Sequence, residues 1–169
     1  MRNFIMRNIN ERSHLFEREY NRALRFLSYR PRSEKEIVDY LKRPRGRKKE
    51  TVDEKVIAKI LKKLKEHNFI NDEEFVRWWI EQRTGSKPKG FRLIKMELQQ
   101  KGVDKETIEK ILRYYDIKIL SAEGARRLLV KVLPRYRKLP PMEFRQKLSQ
   151  FLLRRGFEWE TVKEAIDEI

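Results

Sequence analysis

The stretch from Leu98 to Leu112, LQQKGVDKETIEKIL, is written again 54 residues on, where Leu152 to Ile166 reads LLRRGFEWETVKEAI. In both copies a basic residue precedes glycine (Lys101-Gly102, Arg155-Gly156). An apolar residue follows (Val103, Phe157), then an acidic one (Asp104, Glu158), then Glu-Thr (Glu106-Thr107, Glu160-Thr161). Each copy ends in an apolar triplet at helical spacing: Ile108, Ile111, Leu112 in the first and Val162, Ala165, Ile166 in the second. A degraded third copy lies upstream, where Leu41 leads through a basic loop to Asp53 and then Ile57, Ile60 and Leu61. A period of roughly fifty residues predicts a tandem array of helical units, each too small to bury its own apolar face.

Each copy reads as a helix end, a tight turn and a new helix start. Gly102 and Gly156 stand where a residue of positive φ closes the preceding helix. Asp104 and Glu158 place negative charge at the positive end of the next helix. The rest of the chain follows the same rules. Apolar residues from Leu15 to Leu27 describe a helix stopped before Pro31. Ser33 with Glu36, Thr51 with Glu54, and Asn71 with Glu74 have the spacing of capping boxes. Asn68 suits a left-handed helix end. Pro88 suits the first turn of a helix running to Lys101, and Pro134 falls where it breaks or kinks the helix that contains it. No stretch alternates apolar and polar residues long enough to form a strand. The expectation is an all-α chain of nine helices, with a loose N-terminal extension over residues 1–12 and three-helix repeats over 13–70, 71–117 and 118–169.

Charge decides the class of partner. Lys and Arg number 42 against 26 Asp and Glu, a formal net charge of +16. Residues 1–70 hold 20 basic and 10 acidic side chains; residues 71–117 hold 10 and 9, and 118–169 hold 12 and 7. Self-repulsion on that scale points to a polyanion, either nucleic acid or an assembly built on it. There is no cysteine, hence no disulfide framework and no thiolate chemistry. No apolar run approaches membrane-span length and the first ten residues lack a signal-peptide core, so a cytoplasmic protein without membrane contact is expected.

Nothing in the sequence assembles an active site. His14 and His67 are the only histidines and lie far apart, so no metal set is expected. Asp72, Glu73 and Glu74 are explained by the dipole at a helix start. Gly85-Ser86-Lys87 lacks the spacing of a phosphate loop. The basic loop is different: Arg43, Arg45, Arg47, Lys48 and Lys49 repel one another unless an anion relieves them. Lys62 and Lys63 follow on the polar face of the next helix. Trp78 and Trp79 point about 100° apart on a helix, so both cannot sit at the middle of one buried face; one is expected in the core, and the other is a candidate for a partner contact or base stacking.

Four ordered segments carry a family resemblance: ALRFLSYRPRSEKEIVDYL (Ala23 to Leu41), FINDEEFVRWWIEQR (Phe69 to Arg83), KGFRLIKMELQQKGV (Lys89 to Val103) and FLLRRGF (Phe151 to Phe157). In order and spacing they resemble the RecX family, bacterial regulators of the RecA recombinase, over about residues 15–169. The resemblance implies three tandem three-helix repeats in an elongated, curved body with no enzymatic activity and no cofactor. It implies binding to the RecA nucleoprotein filament in its helical groove, bridging protomers and restraining filament growth, ATP hydrolysis and strand exchange. Single-stranded and double-stranded DNA are implied as further ligands of a monomer. Charge and position nominate the contacts: Arg25, Arg30, Arg32, Arg43, Arg45, Arg47, Lys48, Lys49, Lys62 and Lys63 in the first repeat. Arg77, Arg83, Lys87 and Lys89 stand in the second, and Arg126, Arg127, Arg154 and Arg155 in the third. The alternative is a helix-turn-helix DNA-binding protein with residues 52–64 as recognition helix.

Overall fold

The computed structural model describes the backbone of residues 2–44 and 51–169, with side chains from His14 onward in those segments. The described residues form nine helices and no strand: α1 (Arg2–Leu27), α2 (Glu34–Lys42), α3 (Glu54–Glu66), α4 (Asp72–Thr84), α5 (Phe91–Gln100), α6 (Lys105–Leu112), α7 (Ile117–Tyr136), α8 (Pro141–Arg154) and α9 (Trp159–Asp167).

Local chemistry sets most boundaries. Ser33 Oγ accepts from the Glu36 amide at 3.2 Å, Asn71 Oδ1 from Glu73 at 2.9 Å, and Asp104 Oδ1 from Thr107 at 2.8 Å. Each satisfies an amide that a helix start otherwise leaves unpaired. Asn68, Gly102 and Gly156 take positive φ, at 55°, 83° and 84°. The next amide reaches back five residues in all three: Phe69 to Leu64, Val103 to Leu98 and Phe157 to Leu152. The end of α2 lacks this closure because Arg43 leaves in an extended conformation, which is why the first copy of the repeat reads as degraded.

Four boundaries differ from the sequence expectation. Helix α1 begins at Arg2 and so covers residues expected as a loose extension. No Gly or Pro interrupts residues 2–27, and lengthening a helix is far easier than nucleating one. Asp53, not Thr51, caps α3, accepting from Lys55 at 2.7 Å, while Glu54 turns to Lys42 at 2.8 Å. Gly90 caps α5, so buried Pro88 precedes the helix; its Cβ lies where a Gly124 side chain would be, 3.1 Å away. Pro134 sits inside α7, which continues to Tyr136; so near the end only one late amide bond is lost.

The chain divides into two compact units, 1–75 and 76–169. In the first, α1, α2 and α3 pack pairwise around Tyr20, Ala23, Ile37, Leu41, Ile57, Ile60, Leu64 and Ile70. A charged pair is buried with them. Glu19 and Arg22 meet at 2.9 Å with side chains 1% and 6% exposed, and Arg22 also donates to the Tyr40 carbonyl at 2.8 Å. In the second unit α7, α8 and α9 close around Ala125, Leu128, Leu129, Leu148, Leu152, Phe157, Val162, Ala165 and Ile166. Leu98, Ile108, Ile111 and Leu112 of α5 and α6 are buried too. The second unit is joined through main chain. Gly90 N donates to Arg155 O at 2.8 Å, and a Cβ on Gly90 would lie 2.0 Å from Gly156 O.

Candidate basic interface

A basic side chain serves an outside anion only if no inside anion already holds it, so the nominated residues sort by what they touch. Arg45, Arg47, Lys48 and Lys49 lie outside the described residues. In the first unit Arg30 grips Glu36 with two bonds, at 2.8 and 3.1 Å. Arg32 stacks on Phe26 with its guanidinium carbon 3.8 Å from the ring centre. Lys63 lies 4.4 Å over the Tyr20 ring and 3.8 Å from Glu17; Lys62 is 3.9 Å from Glu66. Arg43 is 6.0 Å from the Tyr40 ring centre. Arg25 is exposed.

Glu97 organises the second group. It accepts from Trp79 Nε1 at 3.0 Å, from Arg83 Nε at 2.7 Å and from Lys89 Nζ. Its side chain is 18% exposed. Burial pushes its carboxyl upward, but the bonds from Lys89 and Arg83 outweigh this and hold the pKa below the ordinary value. Arg83 also covers the Trp79 ring at 4.0 Å. Trp79 is therefore the core member of the tryptophan pair and Trp78 is half-buried against it, ring centres 5.9 Å apart. Arg77 lies over Tyr114 at 5.2 Å.

In the third group Arg126 binds Glu168 through two bonds of 2.5 and 2.6 Å. Hydrogen bonding to Glu168 raises the Arg126 pKa and lowers that of Glu168. Arg127 donates to Thr84 O at 2.8 Å, tying α7 to the end of α4. Arg155 lies 5.3 Å from the Phe151 ring centre. Lys87 and Arg154 are exposed.

The cations left over include some the sequence reading passed by. Arg135, Arg137 and Lys138 are exposed where α7 meets α8, without an ion-pair partner among the described residues. Three basic residues within four positions before a Pro-Pro pair carry the same signal as residues 43–49, so this cluster was findable. Lys131 (donating to Ser86 O at 3.0 Å) and Arg92 (donating to Leu153 O at 3.2 Å) are straps within the second unit. No cluster of metal-ligating side chains occurs among the described residues, and no described helix is long and apolar enough to cross a membrane.

Comparison with known proteins follows the helical triplets. Family models described as the first, second and third three-helix domains of RecX match residues 20–64, 71–112 and 122–166, in that order. A solved structure of regulatory protein RecX superposes with a TM-score of 0.77 at 30% identity, covering 90% of this chain and 73% of that one. The chain belongs to the RecX family.

RecX from Lactobacillus salivarius superposes with a TM-score of 0.75 at 29% identity, covering 90% of this chain and 95% of that structure. Among curated relatives, the regulatory protein RecX of Bacillus subtilis is 35% identical over 150 residues, 89% of this chain and 54% of its own length. That of Streptococcus pneumoniae strain Hungary19A-6 is 35% identical over 150 residues, 88% of this chain and 54% of the relative. The chain thus spans about half the length of the curated relatives it matches. Both relatives are named as regulatory proteins. The three-helix domains of RecX supply the scaffold on which the unpaired cations stand.

Proposed function

We propose that this chain is a non-enzymatic regulator that binds the RecA nucleoprotein filament, bridges neighbouring protomers in its groove and restrains filament growth, ATP hydrolysis and strand exchange. The observation that carries the reading is membership in RecX along the whole triplet series, since the resemblance ties that family to RecA. Charge adds support. Arg25, Lys87, Arg135, Arg137, Lys138 and Arg154 are exposed and have no carboxylate partner among the described residues. They are among the cations free to meet an acidic protein surface or DNA phosphate. Repeated weak contacts along a polymer gain strength through effective concentration rather than through one strong bond.

The test is co-sedimentation with RecA filaments, with bare single-stranded DNA as the control. Retention on filaments beyond that on the DNA alone is the expected result; equal retention would assign the affinity to DNA. The helix-turn-helix alternative has less support. On α3 the residues Ile57, Ile60 and Leu64 are buried and Lys55, Lys59 and Lys62 are exposed, a face suited to phosphates and poor at reading base edges. Discrete footprints on random DNA would favour that alternative.

A further inference from the structure

We propose that a cleft in the first compact unit, residues 1–75, docks an acidic, apolar-anchored peptide segment of a partner protein. The cleft, of about 560 Å³, opens between the α1–α2 turn and the α3–α4 turn. Leu24, Leu27 and Phe75 line it, and Tyr29 and Phe69 stand at its sides. Those two aromatic side chains are 82% and 51% exposed, an unfavourable way to leave rings of that size unless something covers them. The volume falls in the range of roughly 300–1,000 Å³ typical of binding clefts.

The charge of the occupant is read from Arg32. Its guanidinium is half-buried, stacked on Phe26, and donates only to the Phe26 carbonyl, at 3.4 Å. Among the described residues it has no carboxylate partner. Its neighbour Arg30 is already balanced by Glu36. Burial and then the Arg30 charge hold the Arg32 pKa below its ordinary value, and Glu36 offsets this only in part. A partly dehydrated cation beside apolar walls fits a ligand that offers a carboxylate and an apolar side chain together. A nucleic-acid strand fits less well: it carries a charge at every phosphate, and the Glu74 carboxylate also lines the cleft, whereas a peptide can set one carboxylate at Arg32 and an apolar side chain beside Glu74. This inference does not rest on the filament reading.

The experiment is fluorescence anisotropy of the full chain with a fluorescein-labelled peptide in which a Leu-Phe pair is flanked on each side by two acidic residues. Saturable binding is expected, together with none for the analogue carrying Lys in place of the acids. Arg32→Gln should weaken binding roughly five- to tenfold and flatten its salt dependence. Tyr29→Ala, at a position too exposed to affect folding, should weaken it as well. Lys163→Gln, at an exposed position in the third domain, should leave it unchanged. Equal binding by wild type, Arg32→Gln and Tyr29→Ala would overturn the proposal. So would displacement of the peptide by oligothymidylate that Arg32→Gln abolishes, since the cleft would then be a nucleic-acid site.

Discussion

Gly90→Ala tests whether the second unit is held together by main chain. A Cβ there would stand 2.0 Å from Gly156 O and 2.3 Å from Phe157 N. Backbone on both sides leaves no side chain able to rotate away, so the two turns must separate. Separation also removes the 2.8 Å bond from Gly90 N to Arg155 O, a loss of about 1 kcal/mol. Overpacking adds about 1–3 kcal/mol. The reduced freedom of the unfolded chain returns about 0.4–1 kcal/mol. The net expectation is a destabilisation of about 1–3.5 kcal/mol, read out in residues 76–169. Tryptophan emission is the natural readout, because Trp78, Trp79 and Trp159 all lie in that unit and the chain has no other. With a urea dependence of about 2 kcal/mol per molar, the midpoint should fall by roughly 0.5–2 M. Gly102→Ala is the control: its φ of 83° disfavours alanine but the position is exposed, so only about 1–2 kcal/mol of backbone strain applies. A Gly90→Ala midpoint no lower than that of wild type would refute the close approach.

Three further outcomes are expected. Because the folded Glu97 pKa lies below its ordinary 4.5, its contribution is complete above that value and is lost as pH falls through the folded one; acid titration by tryptophan emission should therefore be steeper in wild type than in Glu97→Gln. Glu19→Gln leaves the Arg22 charge buried and should destabilise the first unit by about 3–5 kcal/mol, whereas replacing both by methionine should cost far less. Thermal melts by circular dichroism would show this, and equal melts for the two variants would refute it. Replacing Arg135, Arg137 and Lys138 with Gln together should weaken binding to single-stranded DNA and make its salt dependence shallower; an unchanged slope in filter binding would remove that cluster from the interface.

What could be read in advance was what adjacent residues decide among themselves. The Gly102 and Gly156 turns, the Ser33, Asn71 and Asp104 caps and the Asn68 helix end each involve groups within five positions, and sequence spacing states them directly. The fate of the cations could not be read this way. Arg83 and Lys89 meet Glu97 from 14 and 8 residues off, and Arg126 meets Glu168 across 42. A basic residue thus looks the same in the sequence whether a carboxylate waits for it across the fold or not. The boundary of α3 was misread for a smaller reason: Thr51 and Asp53 are both good caps two residues apart, and Glu54 found a better partner in Lys42. The contact surface was legible only as a sign of charge, while the partner came from the family resemblance.

The Gly90–Gly156 approach also bears on how such a chain tolerates change. The peptide-to-peptide bond at that seam needs no particular side chain, so the surfaces away from Leu93 and the Arg92, Arg127 and Lys131 straps are free to drift in charge and shape. The same seam tolerates no added carbon at Gly90 or Gly156, so two of the smallest residues in the chain are also among the least replaceable.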